Sequence, residues 1–281
     1  MNHLHRELAP IDEAAWGEIQ AEATRALSHF LTARKLVDFD GPHGWDRQAL
    51  GLGRVARIED GGPAEGVEGR LRLVQPLVEL RTPFTLDRDE VDSVARGAPD
   101  ADWDPVVDAA RKAALAEDSL VFGGYAAAGV RGIVETSTHD PVEITGDYEG
   151  YPTYVATAVE RLKRAGVAGP YAIALGPRCY AGVIETTQHG GYPVLQHLRL
   201  IAEGPVLWAP AVEGAVVMSL RGGDFELVVG QDLSIGYLSH DAATVTLYLE
   251  ESITFRAPGP EAAIALRYPA SKPTRRGTRK R

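Results

Sequence analysis

Eight histidines and one cysteine are the first residues to weigh for catalysis or metal binding. The histidines are scattered. His3 and His5 share a short terminal segment, but no cysteine or acid cluster joins them at zinc-like spacing, so they read as surface residues. Cys179 has no histidine or base beside it in sequence and reads as a buried, inert thiol. Having no partner, it excludes an internal disulfide and fits a reducing compartment. Gly51-Leu52-Gly53-Arg54-Val55-Ala56 lacks the last glycine of the dinucleotide fingerprint and opens no helix. No Walker loop or Gly-x-Ser-x-Gly elbow occurs. Asp87-Arg88-Asp89-Glu90 is an acid cluster that reads most simply as a solvated helix start. With no nucleophile–base arrangement, the sequence predicts no catalytic residue, no metal site and no cofactor.

Composition narrows the remaining classes. At 281 residues, 44% hydrophobic and 24% charged, the chain can bury a sizeable core without disulfides or metals. Lys272, Arg275, Arg276, Arg279, Lys280 and Arg281 crowd the last ten residues, which leaves 23 basic against 39 acidic residues elsewhere. An acidic body argues against nucleic-acid binding across the main surface. The basic tail is either solvated or touches an anionic partner. No signal peptide or spanning apolar run is visible, so the expectation is a cytoplasmic protein.

The elements follow from periodicity. Asp12 is placed to cap a helix running to about Lys35, with Trp16, Ile19, Ala23, Leu27 and Phe30 on one stripe and Leu31 widening it. That face packs on its own core or lies at a subunit contact or docking groove, because Phe30 and Leu31 sit beside Arg34, Lys35 and Asp38. Residues 50–82 read as a two-stranded arm around a glycine-rich tip, with apolar and charged residues interleaved on both faces. Such an arm has unpaired edges unless another chain covers them. A low-profile, alanine-rich helix is predicted over 104–118, a third over 153–165, and a buried strand at Gly169–Gly176. A helix over about 177–188, a glycine-tyrosine turn and another short helix follow. From Val206 onward strands dominate. Helices and strands mix without βαβ order, so the fold class is α+β.

One stretch stands out: Arg221-Gly222-Gly223-Asp224-Phe225-Glu226-Leu227-Val228-Val229-Gly230-Gln231-Asp232-Leu233-Ser234-Ile235-Gly236-Tyr237. It reads as a hairpin, with a tight turn at Gly222-Gly223-Asp224, a second reversal at Gly230-Gln231-Asp232, and Leu233, Ile235 and Tyr237 alternating toward one face. This stretch is similar to a signature of the encapsulins. So are Leu4-His5-Arg6-Glu7-Leu8-Ala9-Pro10 with Trp16 following, Ala33 to Asp38 with Gly41-Pro42, Phe84-Thr85-Leu86-Asp87, and Gly169-Pro170-Tyr171. The resemblance runs from residue 1 to about 268 in a single order.

The resemblance implies an HK97 phage-capsid-like fold. Residues 1–48 would form the N-terminal helix arm and the start of the P-domain, 49–83 the E-loop, and 84–136 the P-domain with its spine helix. Residues 137–218 would form the A-domain, 219–268 would return to the P-domain, and 269–281 would be a basic tail. It also implies function: copies close into an icosahedral shell of the smallest, 60-subunit class. That shell would enclose a peroxidase or ferritin-like iron protein recruited by a C-terminal targeting peptide. The peptide groove would take Leu27, Phe30, Leu31, Leu233, Ile235 and Tyr237 on its apolar side, with Arg34, Asp38 and Asp232 as polar guides. The turn Glu185, Thr186, Thr187, Gln188, His189, Gly190, Gly191 and Tyr192 falls where a pore would be ringed, or is an exposed turn with no gating role. Asp89 stands where some members carry a flavin-stacking tryptophan, which argues against bound flavin. The competing readings are a phage or prophage major capsid protein and, from another class, a hydrolase or bacteriocin.

Overall fold

The computed structural model of the chain describes residues 3–59, 61–188 and 190–269. The basic residues of the tail, from Lys272 onward, and His189 lie outside the described residues. In chain order the elements are α1 (Glu13–Phe30), β1 (Asp38–Asp40), β2 (Ala49–Arg57), β3 (Arg70–Pro76), β4 (Val78–Asp87), α2 (Arg88–Ala95), α3 (Asp104–Gly123) and α4 (Ile133–Thr136). Then come β5 (Val142–Glu143), α5 (Tyr151–Arg164), β6 (Tyr171–Leu175), α6 (Pro177–Glu185), β7 (Thr187–Gln188), β8 (Tyr192–Pro193), α7 (Val194–Ala202), β9 (Val206–Trp208) and β10 (Ala215–Ser219). The chain ends with β11 (Glu226–Val229), β12 (Ser234–His240), β13 (Thr244–Arg256) and β14 (Ala263–Arg267). Among the described residues no helix is long and apolar enough to cross a membrane.

These elements form two compact units. Among the described residues, the first takes in those of 3–136, 209–211 and 220–260, and the second those of 137–208, 212–219 and 261–269. The first unit is built on β13, a thirteen-residue strand buried along nearly its whole length. β4 pairs antiparallel along one edge from Asp87↔Thr244 to Val78↔Ile253. Both β11 and β12 lie on the opposite edge, β11 against 253–256 and β12 against 245–250. β1 adds outside β11 in parallel. Against this sheet pack α1 and α3. Ala15, Ile19, Ala23 and Ala26 of one helix and Ala109, Ala110 and Ala113 of the other are buried in one cluster with Phe84, Leu86, Val245, Leu247 and Leu249. Alanines at these positions let the two backbones approach closely while Ile19 and the strand residues supply bulk.

Helix limits differ from the periodicity reading for local reasons. Asp12 caps α1 as expected, its carboxylate accepting the Ala15 N–H at 2.7 Å. The helix nevertheless stops at Phe30. Leu31 turns extended, and the following N–H groups of Thr32 and Ala33 donate to the buried carboxylate of Asp118 at 2.9–3.2 Å. A side chain 85 residues away thus supplies the acceptor that another helical turn would have offered. In the same way α6 ends at Glu185 rather than 188, because Thr186 turns extended and Thr187-Gln188 pair with Tyr192-Pro193. Asp87 caps α2, accepting from the Asp89 N–H, which accounts for the acid cluster as a helix start.

The stretch Arg221–Tyr237 is not a hairpin, which corrects the expectation. Gly222 and Gly223 do turn at positive φ (82° and 77°), but β10 before them pairs with β6 and β14, not with β11. Nor does the chain reverse at Gly230-Gln231-Asp232. β11 and β12 run in one direction along β13, and the four residues Gly230–Leu233 oppose only Glu251 and Ser252. Gly230 N–H donates to Ser252 O and Ser252 N–H to Gln231 O. This is a β-bulge, a device that re-aims one side chain without breaking the sheet. Here the re-aimed side chain is Asp232.

The second unit centres on a five-stranded sheet in the order β5-β14-β10-β6-β9, with β6 and β10 buried at every position. Helix α5 packs against α7 and against this sheet, burying Tyr151, Val155, Ala158 and Leu162. β14 belongs to this sheet, pairing with β10 from Ala215↔Leu266 to Met218↔Ala263. Residues 263–267 therefore lie apart from the other strands of 219–268, because the central β10 has an edge that only β14 fills.

Candidate functional site

The groove begins with spacing on α1. Gln20, Ala23, Thr24 and Leu27 fall at i, i+3, i+4 and i+7 on one face. Leu233, Ser234 and Ile235 face them from the bulge and the start of β12, with Leu249 of β13 beneath and Leu4 and Arg6 closing the third side. Because Ala23 and Thr24 are short, the face is indented, leaving a cavity of about 130 Å³. The terminal segment is fixed by backbone: Tyr237 N–H donates to Leu4 O at 2.8 Å, and Leu4 is buried. Arg6 lies over the Trp16 ring at 4.2 Å and reaches Gln20 Oε1 at 3.4 Å. The walls are apolar at depth and polar at the rim, a form suited to one or two aliphatic side chains of an extended peptide.

Of the residues singled out from the sequence, Leu27, Leu233 and Ile235 meet in this groove. Tyr237 packs against the same core, and its hydroxyl lies 2.6 Å from His240 Nδ1. Phe30 and Leu31 do not line the groove. Phe30 is half-buried with its ring edge-on to His29, and Leu31 is buried beyond the helix end. Asp38 accepts the Gly223 N–H at 2.6 Å and so braces the glycine turn. Reasoning from the sequence missed Leu4, Arg6, Gln20, Thr24 and Leu249. The helical spacing from Gln20 to Leu27 was the available signal.

Arg34 and Asp232 are tied to a buried cluster. The Arg34 guanidinium donates through Nε to both carboxylate oxygens of Glu117 (2.9 and 2.8 Å), reaches Asp232 at 2.8 Å and Glu251 at 3.4 Å. Glu117, Asp118 and Glu251 are buried. Burial of Arg34 works against its charge, but the hydrogen bond and charge of Glu117, with Asp232, more than offset that and hold the guanidinium ionised. Complete burial, and then the charge of Glu117 with which it shares a hydrogen bond, pushes the Glu251 carboxyl well above the usual range, so it keeps its proton. Desolvation likewise raises Asp118 to about 7, against the bonds from Ala33 and Thr32 and with the neighbouring charge of Glu117 adding to the rise. One cation is thus shared by two carboxylates at the bulge, Glu117 and Asp232, and a protonated third, Glu251, completes the set. The cluster clamps the end of α1, the middle of α3 and the bulge together, and so sets the width of the groove between them.

In the second unit the described candidate pore residues fall in the turn between α6 and α7. Glu185 ends α6, Thr186 bonds back to Gly182 O at 2.7 Å, and Gly190 and Gly191 take positive φ of 95° and 78°. Gln188 is anchored on both sides, to Glu149 O at 3.2 Å and His197 Nδ1 at 2.8 Å. Glu185, Thr187 and Tyr192 project to solvent.

The architecture has counterparts among solved shells. It matches a virus-like particle from Pyrococcus furiosus with a TM-score of 0.63 at 18% identity, covering 89% of this chain and 98% of that one. It matches the capsid of an empty GTA particle with a TM-score of 0.51 at 13% identity, covering 84% and 96%. The fold is therefore the HK97-like capsid fold, α+β in class. Within that class, residues 1–254 match the family described as "Encapsulating protein for peroxidase". The type 1 encapsulin shell protein of Rhodospirillum rubrum is 52% identical over 271 residues, 95% of this chain and 97% of that protein. Those of Mycolicibacterium paratuberculosis and Mycobacterium tuberculosis are 48% and 44% identical over 266 residues, each covering 95% of this chain and 99% of the relative. The chain belongs to the encapsulin shell-protein family.

Proposed function

We propose that copies of this chain close into an icosahedral shell, of the 60-subunit class, and that the shell holds an enzyme recruited by a C-terminal targeting peptide in the α1–β12 groove. The observation that carries the reading is the hairpin β2–β3. It pairs with no other described strand, and Val55, Ile58, Leu71, Leu73 and Val74 stand exposed along it. A monomer gains nothing from exposing this much apolar surface on an unpaired ribbon, whereas a neighbouring copy would cover both. A peroxidase fits the family description and a ferritin-like iron protein is the second candidate cargo. The chain itself acts as wall and adaptor, without catalysis, in the cytoplasm. The turn Glu185–Tyr192 would line an opening in the wall. Phage-capsid function is the second reading, favoured only by the shared fold. Expression of the chain alone followed by electron microscopy tests the proposal. Uniform hollow spheres are expected, and folded monomers or small oligomers would refute it.

A further inference from the structure

One cluster in the second unit takes no part in the groove or the turn described above. Cys179 of α6 is buried beside the Tyr268 hydroxyl, Sγ to Oη 3.3 Å, and Tyr268, just past β14, is partly open to solvent. Tyr148 donates its hydroxyl hydrogen to Arg178 O at 3.2 Å and lies 3.1 Å from Tyr268 Oη. Its one hydrogen being spent, Tyr268 must donate to Tyr148, which leaves the Cys179 S–H donating to Tyr268. A side chain at Gly182 would strike the Tyr148 ring, so this glycine lets the ring lie on α6. Tyr151 of α5 completes the set, its ring 5.7 Å from that of Tyr148. It is fully buried, and its hydroxyl has no hydrogen bond. Burial, and next the Cys179 side chain beside them, raise both Tyr151 and Tyr268 above the ordinary phenol range, so both keep their hydrogens.

A thiol between a partly exposed phenol and a sealed one can carry a hydrogen atom from the second to the first. An outer-sphere one-electron oxidant at the surface takes an electron from Tyr268 and water takes the proton, leaving a phenoxyl. The S–H already aimed at that oxygen gives up its hydrogen, which restores the phenol and leaves a thiyl on Cys179. The Tyr151 hydroxyl then gives its hydrogen to sulfur, which restores the thiol and leaves the phenoxyl on Tyr151. Each step moves one electron with one proton, and only the external oxidant is reduced. The direction follows from what each phenol loses. As a phenoxyl, Tyr268 gives up its bond to Tyr148 and weakens the hold of the Arg178 guanidinium, 4.1 Å over its ring. Tyr151 has no such bond to give up. The radical is therefore favoured on Tyr151 by roughly tenfold.

We propose that Tyr268, Cys179 and Tyr151 form a hydrogen-atom relay that draws one-electron oxidation from the surface into a sealed site, where the phenoxyl cannot couple to another molecule. Neither the cargo nor the docking reading bears on it. The test is to photo-oxidise the purified protein with tris(bipyridine)ruthenium and persulfate in the presence of biotin-phenol, which traps exposed tyrosyl radicals. Label at Tyr268 is then read by peptide mass spectrometry against the exposed Tyr125. In Cys179→Ser, whose O–H bond is too strong to yield a hydrogen atom, and in Tyr151→Phe, the Tyr268 label should rise roughly tenfold over wild type. Tyr151→Phe removes only an unbonded buried hydroxyl, so the fold stands. A freeze-quenched wild-type sample should hold a long-lived tyrosyl signal in electron paramagnetic resonance that Tyr151→Phe abolishes, a readout that packing alone does not move. Tyr268 label unchanged in either variant, or a long-lived signal that survives Tyr151→Phe, would overturn the relay.

Discussion

Replacing Arg34 with methionine isolates the clamp from the groove. Methionine keeps the stem's apolar packing and removes only the guanidinium. Glu117, fully buried, then has no counter-ion. It either stays charged at a cost of several kcal/mol or takes up a proton. Neutralising a carboxyl that ordinarily titrates near 4.3 costs about 4 kcal/mol at pH 7.5, in line with the roughly 3–5 kcal/mol lost when one partner of a buried ion pair is removed. For a unit of this size each kcal/mol is worth about 2–4 °C, so the melting temperature of purified Arg34→Met shells should fall by roughly 8–16 °C. Intrinsic-fluorescence melting at pH 7.5, with shell yield by size exclusion, reads this out. Two controls sharpen it. Arg34→Met combined with Glu117→Gln should recover most of the loss, and Glu251→Gln alone should cost under about 1 kcal/mol because that carboxyl is already uncharged. An Arg34→Met melt within 2 °C of wild type, or a Glu251→Gln loss as large as that of Arg34→Met, would refute the account of the cluster.

Asp118 makes stability pH-dependent in a definite direction. Its carboxyl is raised to about 7 in the folded chain and titrates near 3.9 when unfolded. The folded state therefore binds the extra proton between those values, so its stability is greatest below about pH 4 and declines as pH rises to 7, by an upper bound of about 4 kcal/mol. Asp118→Asn should flatten that slope in guanidinium unfolding series from pH 4.5 to 7.5, and an unchanged slope would assign the dependence elsewhere. In the groove, Leu27→Gln should leave shells intact and reduce co-purified cargo at least tenfold, as loss of a central apolar anchor does. Phe30→Ala, outside the groove, should load normally. The reverse pattern would move the docking site to the end of α1.

The α+β class, the capped helix at Asp12 and the alternation of Leu233, Ile235 and Tyr237 were legible from order and spacing, because each is a local property of the chain. So was a two-stranded arm, but the arm read over 50–82 stops at Pro76, and Val78 onward belongs to β4 on the edge of β13. The family resemblance gave the capsid architecture. Tertiary structure alone decided the rest. Nothing local ends α1 at Phe30. The carboxylate of Asp118, far along the chain, does so by accepting the Thr32 and Ala33 N–H groups. The Gly230–Leu233 segment carries turn residues, yet β13 is long enough to hold β11 and β12 on one edge, so a predicted reversal becomes a bulge. That bulge sends Asp232 to Arg34, whose guanidinium also holds the buried Glu117. His3, which read as a surface histidine, gains its partners from Trp45 and from a strand nearly 250 residues away. Spacing sets which side chains share a face, but which charges must neutralise one another follows from burial, and burial is settled only when distant segments pack.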